Sequence, residues 1–125
     1  SAFAGPLVDE PALAGAHRSQ PGHNVVLHEF AHKLDMLDGT IDGTPLLPRE
    51  LRADWVRVCT GVYQDLVAGR PRPPMRWYGA TNPGEFFAVA TEVFFEQPAE
   101  LAALEPELYD VLRRFYRQDP AAREG

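Results

Sequence analysis

With 125 residues, 45% of them apolar and 24% charged, the chain reads as one soluble globular domain able to bury roughly two-thirds of its unfolded surface. A single cysteine excludes an internal disulfide, no stretch reaches the ~20 apolar residues of a membrane span, and the opening SAFAGPLVDE lacks a signal peptide's basic start and apolar run, so a cytoplasmic protein is expected. The net charge of −6 sets 18 acids against eleven arginines and Lys33, with no basic cluster longer than the proline-broken RPRPPMR, which argues against direct contact with nucleic acid.

In chain order, the first ~22 residues offer at most a short strand at GPLV and a turn of helix at EPALAGA. PGHN at 21–24 then supplies a breaker and, in Asn24, an N-cap, while Gly39 supplies a stop. Between them Val26, Phe30, Leu34 and Leu37 form an apolar stripe on a helix of about four turns. Residues 48–68 read as a helix opening at Pro48, with Leu51, Trp55, Val58, Cys59, Val62 and Leu66 at helical spacing and Gly69 beyond its end. Cys59 is expected to be a buried helical residue and not a reactive thiol. GRPRPP at 69–74 is a loop, because its prolines forbid a regular helix. Asn82-Pro83 opens a helix that carries Phe86, Phe87, Ala90, Val93 and Phe94 and ends before Pro98. A short segment around ELAAL follows, and then a helix from Pro106 to Gln118 that turns Leu108, Val111, Leu112 and Phe115 inward. The fold class is mainly α, and Phe86, Phe87, Phe94 and Phe95 are core residues before they are a substrate pocket.

The stretch LHEFAHKLD at 27–35 carries the chemistry. At about 100° per residue, His28 and His32 fall about 40° apart on one helix face, so both imidazoles can reach one ion. Two histidines at this spacing occur on many helices as solvated residues. Glu29 directly after the first makes the pattern HExxH, which is far more specific for a zinc hydrolase. Neutral imidazole suits zinc, a catalytic zinc takes three protein ligands and a water, and Glu29 would serve as general base toward that water. His17 and His23 carry no spacing signal.

The third ligand must come from elsewhere, since position 38 is Asp38 and no histidine follows His32. Glu85, Glu92 and Glu96 share one stripe of the helix after Asn82, and periodicity does not choose among them. Glu85 also stands three residues after Asn82, the spacing of a capping box in which it would only reach back to a backbone N–H. Asp35, on the histidine face, is an outer carboxylate that can receive an imidazole N–H, and Glu92 is expected to sit no closer to the ion than that.

The segments GHNVVLHEFAHKLDMLDG, WYGATNPGEFFAVATEVFFEQP and FYRQDP resemble the Mlc titration factor A family, bacterial zinc peptidases of the HExxH-plus-glutamate type, in register over residues 21–120. The resemblance implies a zincin-like catalytic domain over 1–125, the C-terminal part of a longer family architecture. It implies one zinc per chain on His28, His32 and Glu85, with Glu29 and Tyr78 catalytic. It further implies a cytoplasmic peptidase, aminopeptidase-like on small peptide substrates, and as an alternative role a module that binds a Mlc-like transcriptional repressor, with zinc structural or vestigial. Tyr78 precedes Glu85 by seven residues across a glycine-containing turn, from where its hydroxyl can donate to an oxyanion.

Overall fold

The computed structural model describes residues 24–36 and 45–124, which form six α-helices and one 3-10 turn, with no strand among the described residues. The helices are α1 (Val25–Asp35), α2 (Arg49–Val67), α3 (Pro83–Glu96), α4 (Pro98–Leu104), α5 (Pro106–Tyr116) and α6 (Pro120–Glu124), and the 3-10 turn is Trp77–Ala80. The chain is mainly α. The strand considered at GPLV lies outside the described residues, as do His17, His23, Leu37 and Asp38.

α3 is the central element because its sequence is apolar almost all round. Every residue from Gly84 to Phe94 is buried, and Glu85, Thr91 and Glu92 are the only polar ones in that run besides the glycine. Pro83 starts the helix where a missing N–H costs nothing, and the Asn82 side chain accepts the Glu85 N–H at 2.9 Å. The helices α1, α4 and α5 and the 3-10 turn all pack against it. α2 buries Leu51, Trp55, Val58, Val62 and Leu66 along one face and is followed by Gly69 at φ 85°, a left-handed conformation open to glycine because it lacks a Cβ. The Trp55 ring lies 5.7 Å from Phe87 and 5.4 Å from Phe115, joining α2, α3 and α5. Burial pushes the Cys59 thiol up to about 12, which keeps it an unreactive core group at neutral pH. Phe86, Phe87 and Phe94 belong to the core, with Phe95 packed partly buried against it.

Three details differ from the sequence reading. α5 stops at Tyr116, because Arg117 turns left-handed at φ 58° and its N–H closes onto the Arg113 carbonyl. α6 had no clear periodic signal in five residues; it is held by tertiary bonds, the Tyr109 hydroxyl taking the Ala121 N–H at 2.9 Å and donating to Asp119. The third concerns α1. Val26 and Phe30 of its apolar stripe face outward, 77% and 48% exposed, and Leu34 packs partly buried against the core, while His28, Ala31 and Asp35 are buried. The helix is turned toward α3 because two buried carboxylates there need the groups that α1's polar face supplies.

The arginines of the proline-rich loop are committed inside the fold. Arg72 donates to both Glu105 oxygens, at 2.6 and 2.7 Å, and to Asp65, and Arg70 Nε donates to Asp65 at 2.8 Å. Forked pairing of this kind ties the loop to α2 and to the start of α5. No described helix is long and apolar enough to cross a membrane.

Candidate metal centre

The site is the seam between α1 and α3. Asn24 caps α1 by accepting the Leu27 N–H at 3.1 Å, which sets the first turn and with it the angular position of His28 and His32. Ala31 and Ala88 are fully buried on the two helices, and residues so small allow a close approach. Across this seam Glu85 Oε1 lies 2.6 Å from His28 Nε2, and Glu85 Oε2 lies 3.1 Å from His32 Nε2. The capping box is therefore only half formed. Asn82 accepts the Glu85 N–H, but the Glu85 carboxylate is directed at the two imidazoles, and α3 positions it with no side chain of its own in the cap.

Glu92, two turns along α3, meets the same imidazole from the other side. His28 Nδ1 donates to Glu92 Oε1, while Glu92 Oε2 accepts the Asn24 N–H at 2.6 Å. In neutral His28 a carboxylate on Nδ1 would hold the proton there and turn the Nε2 lone pair toward Glu85 and His32. Asp35 is fully buried on the same face of α1, and Glu96, at the exposed end of the stripe, accepts from the Asn24 amide at 3.3 Å. Sequence periodicity left Glu85, Glu92 and Glu96 equivalent; the packing separates them. One participant had no sequence signal at all. Arg76, two residues past the proline-rich loop, brings Nη2 within 3.0 Å of Glu92 Oε1.

Glu29 is exposed, one residue along from the buried His28. Tyr78, on the 3-10 turn, is 42% exposed, and its ring centre lies 6.0 Å from that of His28. Burial, reinforced by the Glu85 charge, pushes the phenol up to about 12. It is thus protonated, and a donor, across the neutral range.

Burial alone would push His28 down, but the hydrogen bonds and charges of Glu85 and Glu92 outweigh it and raise the pKa from 6.5 to about 9. Burial likewise pushes Glu85 up, and His28 and His32 outweigh it, holding the carboxyl below its ordinary 4.5. In the metal-free protein an imidazolium therefore bridges two carboxylates. The raised His28 pKa contributes stability that is complete below pH 6.5 and is lost as pH rises through about 9; the Glu85 contribution is complete above pH 4.5 and is lost as pH falls. With a chelator present, the melting temperature is expected to drop between pH 6.5 and about 9, whereas zinc affinity is expected to rise over the same interval as the competing proton leaves. A chelator-treated melt that climbs over that interval contradicts this account.

The donor set fits a metal ion. One atom each from His28, His32 and Glu85 lie within 4.8 Å of one another, a grouping that could hold one metal ion. Two imidazoles and a carboxylate are the ligand types of a catalytic zinc with one open position, and the Nδ1 carboxylate on His28 is the outer support such a ligand needs.

The sequence profile of glucose-regulated metallo-peptidase M90 matches residues 7–117. An uncharacterized protein of Synechocystis is 47% identical over 109 residues, which are 82% of this chain and 39% of that protein. Mlc titration factor A of Serratia proteamaculans and that of Klebsiella pneumoniae are each 40% identical over 108 residues, 82% of this chain and 41% of theirs. The chain thus spans about two-fifths of the length of the relatives it matches.

Proposed function

We propose that this chain, which belongs to the glucose-regulated metallo-peptidase M90 family, hydrolyses peptide bonds with one zinc ion held by His28, His32 and Glu85. The observation that carries the reading is the clustering of these three donors, with Glu92 against the Nδ1 of His28 and Nε2 turned toward Glu85. Zinc, when bound, supplies a water of lowered pKa and a Lewis acid for the scissile carbonyl. Glu29 takes the proton of the attacking water and returns it to the leaving amine. The Tyr78 hydroxyl donates to the carbonyl oxygen as negative charge builds there, a role suited to a phenol that stays protonated. The substrate class is a small peptide, with aminopeptidase-like cleavage, in a cytoplasmic protein.

Metal analysis of the purified chain, with turnover of an amino-acid anilide, tests this reading. One zinc per chain is expected, with turnover lost to a chelator and restored by zinc; a metal-free chain, or turnover indifferent to chelation, rules it out. Tyr78→Phe is expected to lower turnover by roughly 10²-fold at unchanged zinc affinity, as for loss of one oxyanion donor. Unchanged turnover would leave Tyr78 as a packing residue of the turn.

The relatives named Mlc titration factor A favour a second reading, in which the chain binds a Mlc-type repressor and zinc is structural or vestigial. The two readings separate on Glu29, because repressor binding has no use for a general base beside an open coordination position. Pull-down of a purified Mlc-type repressor by the Glu29→Gln variant measures the second function alone.

A further inference from the structure

We infer that Arg76 is a positioning residue for the metal-binding imidazole of His28, acting through Glu92; the inference rests on the metal-centre reading above. Glu92 is fully buried, and its contacts use both carboxylate oxygens. Oε2 accepts the Asn24 N–H at 2.6 Å, which ties the carboxylate to the start of α1. Oε1 accepts from His28 Nδ1 and lies 3.0 Å from Arg76 Nη2. The guanidinium sets a positive charge beside this buried carboxylate, and that charge stays in place when a metal replaces the proton on His28 Nε2. It keeps the carboxylate where the Nδ1–H needs it, and the ring orientation follows.

The same residue is the cap of the 3-10 turn. Its backbone is extended, at φ −82° and ψ 150°, and its carbonyl accepts the Gly79 N–H at 3.0 Å. One residue thereby joins the turn that carries Tyr78 to the carboxylate that holds His28. Arg76 Nε and Nη2 are buried with no well-directed hydrogen bond, so the contact with Glu92 works as a charge pair and not as a fork. A lysine at this position should therefore replace it, and a glutamine should not.

Zinc competition titrations on Arg76→Gln, Arg76→Lys, Glu92→Gln and the double Arg76→Gln/Glu92→Gln variant test this. Arg76→Gln is expected to weaken zinc binding about 10- to 100-fold, the usual effect of losing outer support for a ligand, with Arg76→Lys close to wild type. Because Arg76 acts through Glu92, the double variant is expected to bind no more weakly than Glu92→Gln alone. At saturating cobalt(II), the visible spectrum of Arg76→Gln should differ from wild type, reporting a reoriented ligand instead of a less stable fold. Wild-type affinity in Arg76→Gln overturns the inference, and so do fully additive losses in the double variant. Should Arg76→Gln fail to fold, the double variant removes both buried charges together, and its comparison with Glu92→Gln decides. A wild type that takes up no zinc counts against the metal centre itself, whereas zinc-binding wild type with an unaffected Arg76→Gln counts against Arg76 alone.

Discussion

Glu29→Gln is expected to bind one zinc per chain, keep the wild-type fold, and lose turnover by roughly 10²- to 10⁴-fold, the range for removal of a positioned general base. The fold should be indifferent because Glu29 is exposed, and α1 is held by its neighbours: Asn24 at the cap, and His28, Ala31 and Asp35 on the buried face. The zinc should be indifferent because Glu29 is not among the three converging donors. What changes is the ability to take a proton from water, since an amide cannot do so at neutral pH. Circular dichroism, metal content and turnover of the same preparation measure the three quantities separately. Wild-type turnover in this variant would exclude the hydrolytic role assigned to Glu29. Repressor binding by a wild type without turnover would instead favour the binding module.

Glu85→Gln is expected to cut zinc affinity by roughly 10²-fold or more. A binding free energy of about 10–16 kcal/mol shared among a handful of ligands places roughly 2–4 kcal/mol on each, and a neutral amide recovers little of what an anionic oxygen supplies. The helix itself should tolerate the change, because the Asn82 side chain, not Glu85, makes the cap bond. Glu92→Gln should retain more zinc, since Glu92 supports His28 from behind, and Glu96→Gln, at the exposed end of the stripe, nearly all of it. Isothermal titration of the three variants gives the order directly. Retained zinc in Glu85→Gln together with lost zinc in Glu92→Gln would exchange the two assignments.

The sequence by itself determined what depends on neighbours within a few turns. The helix carrying His28 and His32 follows from Asn24 and the HExxH spacing, because four residues bring two side chains to one face whatever surrounds them. Leu51, Trp55, Val58, Val62 and Leu66 were legible as one buried face of α2, and Phe86, Phe87, Val93 and Phe94 as core, for the same reason. The resemblance pointed to Glu85 and Tyr78, which spacing alone left among alternatives. Tertiary structure decided which face of α1 is buried, against the apolar stripe of Val26 and Phe30, and it decided that Glu85 and Glu92 meet opposite nitrogens of one imidazole while Glu96 does not. These contacts join residues 57 and 64 positions apart. A helical period carries no information about which partner arrives across such a distance, because every glutamate of the stripe has the same local pattern. Arg76 shows the limit most plainly: its local sequence, just past a proline-rich loop, carries no sign of the site, and its bearing on His28 comes from α3 placing Glu92 between them.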